Sequence, residues 1–90
     1  MEVVVTFTTQ LKAALGQPSA TLTLDEDASV MSALSSLAGR YPTEFSGLVL
    51  SSQGQLLPSI LLCVNDQQVA PSALLHDGDT LTLLSAISGG

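Results

Sequence analysis

Few residues in this 90-residue chain could do chemistry. It has one cysteine, Cys63, and one histidine, His76. Cys63 falls inside an apolar run and His76 in a turn signal, and no spacing joins them as a nucleophile and its base. Two acidic groups, Asp25-Glu26-Asp27 and Asp77-Gly78-Asp79, could suggest a metal. The first stands just before a helix start, where the helix dipole favours negative charge. The second has part of a calcium loop but lacks the remaining ligands, and it reads as a turn. No Cys/His cluster has zinc spacing, and no Gly-rich loop opens a helix to hold a nucleotide. The chain is therefore not expected to bind a metal or cofactor, or to be an enzyme by itself. What remains is the end, Gly89-Gly90, with the terminal carboxylate as its one acyl-transfer handle. A carboxylate is a poor electrophile, so this chemistry requires a partner that activates it.

The elements that must position that end follow from the pattern upstream. Asp77-Gly78-Asp79 is a turn signal, and Thr80 to Leu84 alternates polar and apolar as a strand with Leu81 and Leu83 buried. Ser85, Ala86, Ile87, Ser88, Gly89 and Gly90 offer little to bury, so residues 85–90 are expected to form a flexible tail on a domain of residues 1–84.

Leu75-x-Asp77-Gly78-Asp79-x-Leu81-x-Leu83, a short tail and Gly89-Gly90 together resemble the C-terminal signature of the ThiS/MoaD family of ubiquitin-like sulfur carriers. The likeness extends to Val64-Asn65-Asp66 and, loosely, to the whole chain. Many members carry Pro where this chain has Ser85. The resemblance implies a β-grasp fold with the first and last strands parallel at the sheet centre. It also implies a ubiquitin-activating-type adenylyltransferase that uses ATP to adenylate Gly90. A sulfurtransferase or sulfide source would convert the adenylate to a thiocarboxylate, and an acceptor enzyme would take the sulfur. Residues 85–89 would thread the partner's tunnel, which glycines allow because they lack Cβ. The segment Tyr41 to Leu57, with Gly54-x-Leu56, resembles the longer carriers, of the molybdopterin-synthase small subunit and CysO types, more than the compact thiamin carriers. A protein modifier joined to lysine through Gly90 and a β-grasp interaction module without terminal chemistry are the alternatives.

From periodicity alone the chain is an α+β domain. Ninety residues make one domain, and 46% apolar residues suffice to fill its core. Glu2–Thr8 reads as a strand with Val3, Val5 and Phe7 on one face, and Ala20–Leu24 as a second, joined by a loop in which Leu11–Leu15 could make a helical turn. A helix is predicted from Val30 to Gly39 or Arg40, capped by Ser29 or Asp27 and stopped by Gly39 and Pro42. Its stripe of Val30, Ala33, Leu34, Leu37, Ala38 and Tyr41 faces a mixed sheet of four to five strands. Ile60–Val64 is a strand apolar on both faces, and Val69 starts a short edge strand. Residues 43–59 give no clear period: Phe45, Leu48 and Leu50 could tuck under the sheet, and Ser51–Gln55 is a polar turn. Alternation places Val4, Leu61, Cys63 and Leu84 on the face away from the helix, an expected docking patch unless residues 43–59 cover it.

Lys12 and Arg40 are the only strong cations against eight carboxylates, a formal net charge of −6. That balance excludes a phosphate-backbone binder and predicts steering towards a basic partner surface. No run could span a bilayer, the N-terminus lacks a signal peptide's basic region, and the lone cysteine suits a reducing compartment. A cytoplasmic protein, monomeric when free, is expected.

Overall fold

The structure, a computed structural model, describes residues 1–85. The expected tail residues Ala86 to Gly90 lie outside them. Five strands, β1 (Glu2–Phe7), β2 (Ser19–Thr23), β3 (Ile60–Val64), β4 (Gln67–Gln68) and β5 (Thr80–Ser85), form one mixed sheet in the order β2-β1-β5-β3-β4. The central pair β1 and β5 is parallel and the other pairings are antiparallel. This is the β-grasp arrangement.

Helix α2 (Val30–Arg40) lies on one face of the sheet. Ser29 caps it with a reciprocal box: the Ser32 N–H donates to Ser29 Oγ (3.2 Å) and the Ser29 N–H to Ser32 Oγ (3.4 Å). Its buried stripe is Val30, Ala33, Leu34 and Leu37. These meet Val3, Val5 and Phe7 of β1, Leu22 of β2, Leu62 of β3, and Leu81 and Leu83 of β5 in one core cluster. No polar or charged residue is buried among the described residues.

Two segments differ from the sequence expectation. Where a loop was expected, Thr9–Leu15 is helix α1. Leu11 anchors it in the core, and Gly16 ends it at a φ of 74°, donating its N–H to the Lys12 carbonyl at 3.0 Å. Residues 43–59 do not cover the open face. Pro42–Phe45 is a short helix, α3, and Phe45, Val49 and Leu50 join the α2 core cluster. The expected polar turn is present: Ser51 Oγ accepts from the Gln53 and Gln55 N–H groups, both at 3.2 Å.

Strand β5 runs one residue past the expected boundary. Ser85 pairs with Ile60 in the ladder, so it belongs to the sheet and not to the tail.

Candidate functional site

The site is built around β5, the strand that leads to the Gly-Gly end. Its start is held by the Asp77-Gly78-Asp79 turn, which ties three strands together. The Glu2 N–H donates to Asp77 Oδ1 (2.7 Å), and the Gly78 N–H donates to the Glu2 carbonyl (2.8 Å). The Val4 N–H donates to the Asp79 carbonyl at 3.1 Å. Gly78 has a φ of 87°, a conformation glycine adopts without Cβ strain.

Asp79 then reaches the β3–β4 turn. Its Oδ1 accepts from Asn65 Nδ2 (2.9 Å) and its Oδ2 from the His76 N–H (2.8 Å). Asn65 completes the loop by accepting the Thr80 N–H on Oδ1 (3.1 Å) and donating its own N–H to the Thr80 carbonyl (2.9 Å). Asn65 and Asp66 both have positive φ, 49° and 72°, as a two-residue hairpin turn requires. The Asn65 bonds join the β3–β4 turn to the start of β5 through specific side-chain atoms, so they pin the register of β5 against β3.

The hydrogen bond from the His76 N–H, followed by that from Asn65, holds the Asp79 carboxyl below its ordinary value of 3.8, although partial burial opposes the shift. A lowered folded-state pKa means that ionised Asp79 stabilises the fold above its ordinary value. That contribution is lost as pH falls through the lowered value. In pH-dependent thermal melts, the stability gap between the wild type and Asp79→Asn should be widest above about pH 5 and shrink through the acid range. A gap independent of pH would show that the clamp does not depend on the charge.

The far end of β5 is held differently. Thr8 Oγ1, at the entry to α1, donates to the Leu83 carbonyl at 2.8 Å. On the other side β3 pairs Ile60 with Ser85 and Leu61 with Leu84. The strand is thus fixed at both ends up to Ser85.

The open sheet face is uncovered among the described residues. Leu61 is 37% exposed and Val4 38%, while Cys63 and Leu84 are half-buried. Leu61 and Leu84 are cross-strand partners, and Cys63 follows on the same face opposite Thr82. Val4 does not join them. Its register partner on β5 is Thr80, four residues before Leu84, or about 13 Å along the strand. Thr6, Thr80 and Thr82 occupy the space between. The four-residue patch expected from alternation is therefore a three-residue patch beside the end of β5 and a separate valine.

Cys63 lies on the open sheet face, whereas His76 is 82% exposed in the turn. Among the described residues no group of three His, Cys, Asp or Glu side chains could hold a metal ion. No helix among them is long and apolar enough to cross a membrane. The carboxylates of Asp77 and Asp79 are engaged by backbone and amide donors, which explains the pair as turn residues. The Asn65–Asp79 clamp and the Thr8 tether were not recognised from sequence. Their only signal was Val64-Asn65-Asp66 and the acidic turn, which alternation does not connect.

The comparisons with known proteins bear on this arrangement as a whole. SAMP1 from Haloferax volcanii is similar over 100% of both chains, with 27% identity and a TM-score of 0.91. Small archaeal modifier protein 1 from Methanosarcina acetivorans shares 26% identity over 99% of this chain and 96% of its own, with a TM-score of 0.83. A chain of the BexX/CysO complex from Amycolatopsis orientalis shares 28% identity over 98% of this chain and 99% of its own, with a TM-score of 0.72. No curated protein matches in sequence. The model of the ThiS family matches residues 5–90, from the first strand through the Gly-Gly end, and the chain belongs to that family of ubiquitin-like sulfur carriers.

Proposed function

We propose that this protein carries sulfur as a thiocarboxylate on Gly90. The observation that supports the reading most is the family match running to residue 90, together with a central strand anchored at both ends that leads to Gly89-Gly90. In the proposed reaction a Gly90 carboxylate oxygen attacks the α-phosphorus of ATP in a ubiquitin-activating-type enzyme. Pyrophosphate leaves and an acyl-adenylate forms. Sulfide attacks the acyl carbon and AMP leaves, giving the thiocarboxylate directly. If a sulfurtransferase persulfide attacks instead, an acyl disulfide forms, and a thiol must reduce it to release the thiocarboxylate. The sulfur is then delivered within an acceptor enzyme of the molybdopterin, cysteine or thiamin type.

Fully extended, residues 86–90 reach at most about 17 Å beyond Ser85. A partner must therefore hold the sheet end that close to its reaction centre. The patch of Leu61, Cys63 and Leu84 is the proposed handle, because it adjoins the strand end and is uncovered. Leu61→Asp should leave the fold intact and weaken binding to the activating or acceptor enzyme by about tenfold or more, the effect of losing an interface anchor. Unfolding by Leu61→Asp, read by circular dichroism, would make the residue core and remove the handle.

A second reading has a specific support. The similarity to small archaeal modifier protein 1 favours conjugation of the same activated Gly90 to lysine amines. Intact-mass measurement of protein recovered from its native cells separates the readings. Replacement of one oxygen by sulfur supports the carrier, a ladder of conjugates supports the modifier, and an unchanged mass argues against both.

A further inference from the structure

The chain's charges are segregated along the sheet. At the end where β5 starts stand Glu2, the Asp77 and Asp79 turn, Asp66 of the β3–β4 turn, and Asp25-Glu26-Asp27 after β2. They share that level because Glu2 pairs with Thr23, the Gly78 N–H bonds the Glu2 carbonyl, and Asn65 bonds Asp79 and Thr80. The Met1 ammonium is the one formal cation there among the described residues, donating to the Leu24 carbonyl. At the other end, where β5 finishes, stand both strong cations of the chain. Lys12 is on α1, which begins beside Leu83 through the Thr8 tether. Arg40 ends α2, and the next residue, Tyr41, accepts a hydrogen bond from Gln17 in the α1–β2 connection. The only described carboxylate at this end is Glu44 on α3.

Lys12 and Arg40 are exposed, and among the described residues neither has a carboxylate within ion-pair distance. A shallow depression of about 320 Å³ adjoins Lys12, bounded by Ala13, Gly16, Gln17 and Pro18. Among the described residues, none of the chain's eight side-chain carboxylates pairs with either cation at the end where β5 finishes.

Screening decides what a partner senses. The ends of β5 are about 17 Å apart, from its six residues. The Debye length at physiological salt is about 8 Å, so screening attenuates the acidic end roughly eightfold at the cationic one. Among the described residues, a surface approaching the β5 terminus therefore meets two cations and one side-chain carboxylate, Glu44, not a net charge of −6. Net charge alone would steer the protein towards a basic surface, whereas the local balance at this end favours an acidic one. Two separated cations are too few to track a phosphate backbone, whose binding grows with each phosphate neutralised.

Resting on the sulfur-carrier reading, we infer that Lys12 and Arg40 form a docking surface for an acidic rim around the activating enzyme's active-site entrance. The distant carboxylates orient the carrier so that its terminus leads. An approach in the opposite orientation would set the acidic end against that acidic rim, where like charges repel.

The test is stopped-flow association with the adenylating enzyme of the same organism, alongside ATP–pyrophosphate exchange. Lys12→Glu/Arg40→Glu should slow association about tenfold at low ionic strength. The difference should largely vanish near 1 M salt, where screening acts within about 3 Å. The neutral pair Lys12→Gln/Arg40→Gln should fall between, and Asp25→Asn/Glu26→Gln at the far end should change the rate less than about twofold. Thermal melts of the variants should match the wild type. Unchanged or faster association of the charge-reversed protein, with the wild type still adenylated, would overturn the inference and leave the carrier reading standing. If the wild type is neither bound nor adenylated, the carrier reading fails and the docking surface fails with it.

Discussion

A chain extended by a few residues after Gly90, or lacking Gly90, is expected to fold normally and support no ATP–pyrophosphate exchange with its activating enzyme. The expected loss is complete because the proposed nucleophile is the terminal carboxylate itself. Extension turns that carboxylate into an amide, which cannot attack the α-phosphorus. Deletion places it one residue short, an error of about 3.4 Å against a reaction centre that must be met in line. Gly89→Val should also fold and be activated poorly, because a branched Cβ narrows both the backbone's options and the fit to a tunnel. Full exchange with the blocked protein would mean that another group is activated. Neither Cys63 nor His76 is a ready substitute: they occupy the open sheet face and the turn before β5, and neither offers a carboxyl group. The intact mass of the blocked protein should also lack the sulfur substitution, which ties the exchange result to the carried group.

What alternation could show, it showed well. Val3, Val5 and Phe7 face the helix, as do Leu81 and Leu83, because a two-residue period leaves no freedom about which side each occupies. The α2 stripe was legible through its 3.6-residue period, with Val30, Ala33, Leu34 and Leu37 buried and Ala38 and Tyr41 only partly so. Of the two candidate caps, Ser29 and Asp27, Ser29 is the cap. Alternation reports the face of a residue and not its height along the strand. That is why Val4 was grouped with Leu61 and Leu84: the parallel register that sets Val4 beside Thr80 is a tertiary fact. Helix α1 was seen only as a possible turn at Leu11–Leu15 for a related reason. It is short, has no side-chain cap, and owes its place to one buried leucine, Leu11, between Gly16 and a strand end. The path of residues 43–59 was unreadable because their apolar anchors follow no period: Phe45 and Leu50 stood out as candidates for burial and are buried, Leu48 is only partly so, and Val49 was missed. The clamp from Asp79 to Asn65 joins positions fourteen apart, beyond any turn rule. The terminal reading rested on a resemblance, the acidic turn, strand, short tail and Gly89-Gly90 in that order, and the family match covers the same stretch. The charge segregation was invisible, because net charge sums over a chain what the fold separates by its length.

Leu83→Ala is expected to cost about 2–5 kcal/mol, the range for emptying a buried leucine site. Leu83 is 1% exposed and sits mid-sheet, opposite Phe7 on one side and Leu62 on the other. Its removal opens a cavity between the two central strands and α2, where close packing leaves little room for collapse. Leu37→Ala, from the helix side of the same core, should cost a similar amount. Against a total stability of roughly 5–15 kcal/mol, either loss would leave a measurable unfolded population. The neighbouring residue supplies the contrast. Leu84 points to the open face opposite Leu61, so Leu84→Ala removes little packing and should shift a urea midpoint only slightly. On the proposed reading, two adjacent leucines on one strand serve two ends: Leu83 would keep the base of the terminus rigid, and Leu84 would belong to the docking patch. Equal midpoints for the two variants would show that the faces of β5 are assigned the wrong way round. A large shift for Leu83→Ala with unchanged adenylation at low temperature would show that the sheet's role is stability alone. If activation instead falls while the protein remains folded, the anchored strand is positioning Gly90, because the mutated side chain lies on the face turned away from the proposed docking patch.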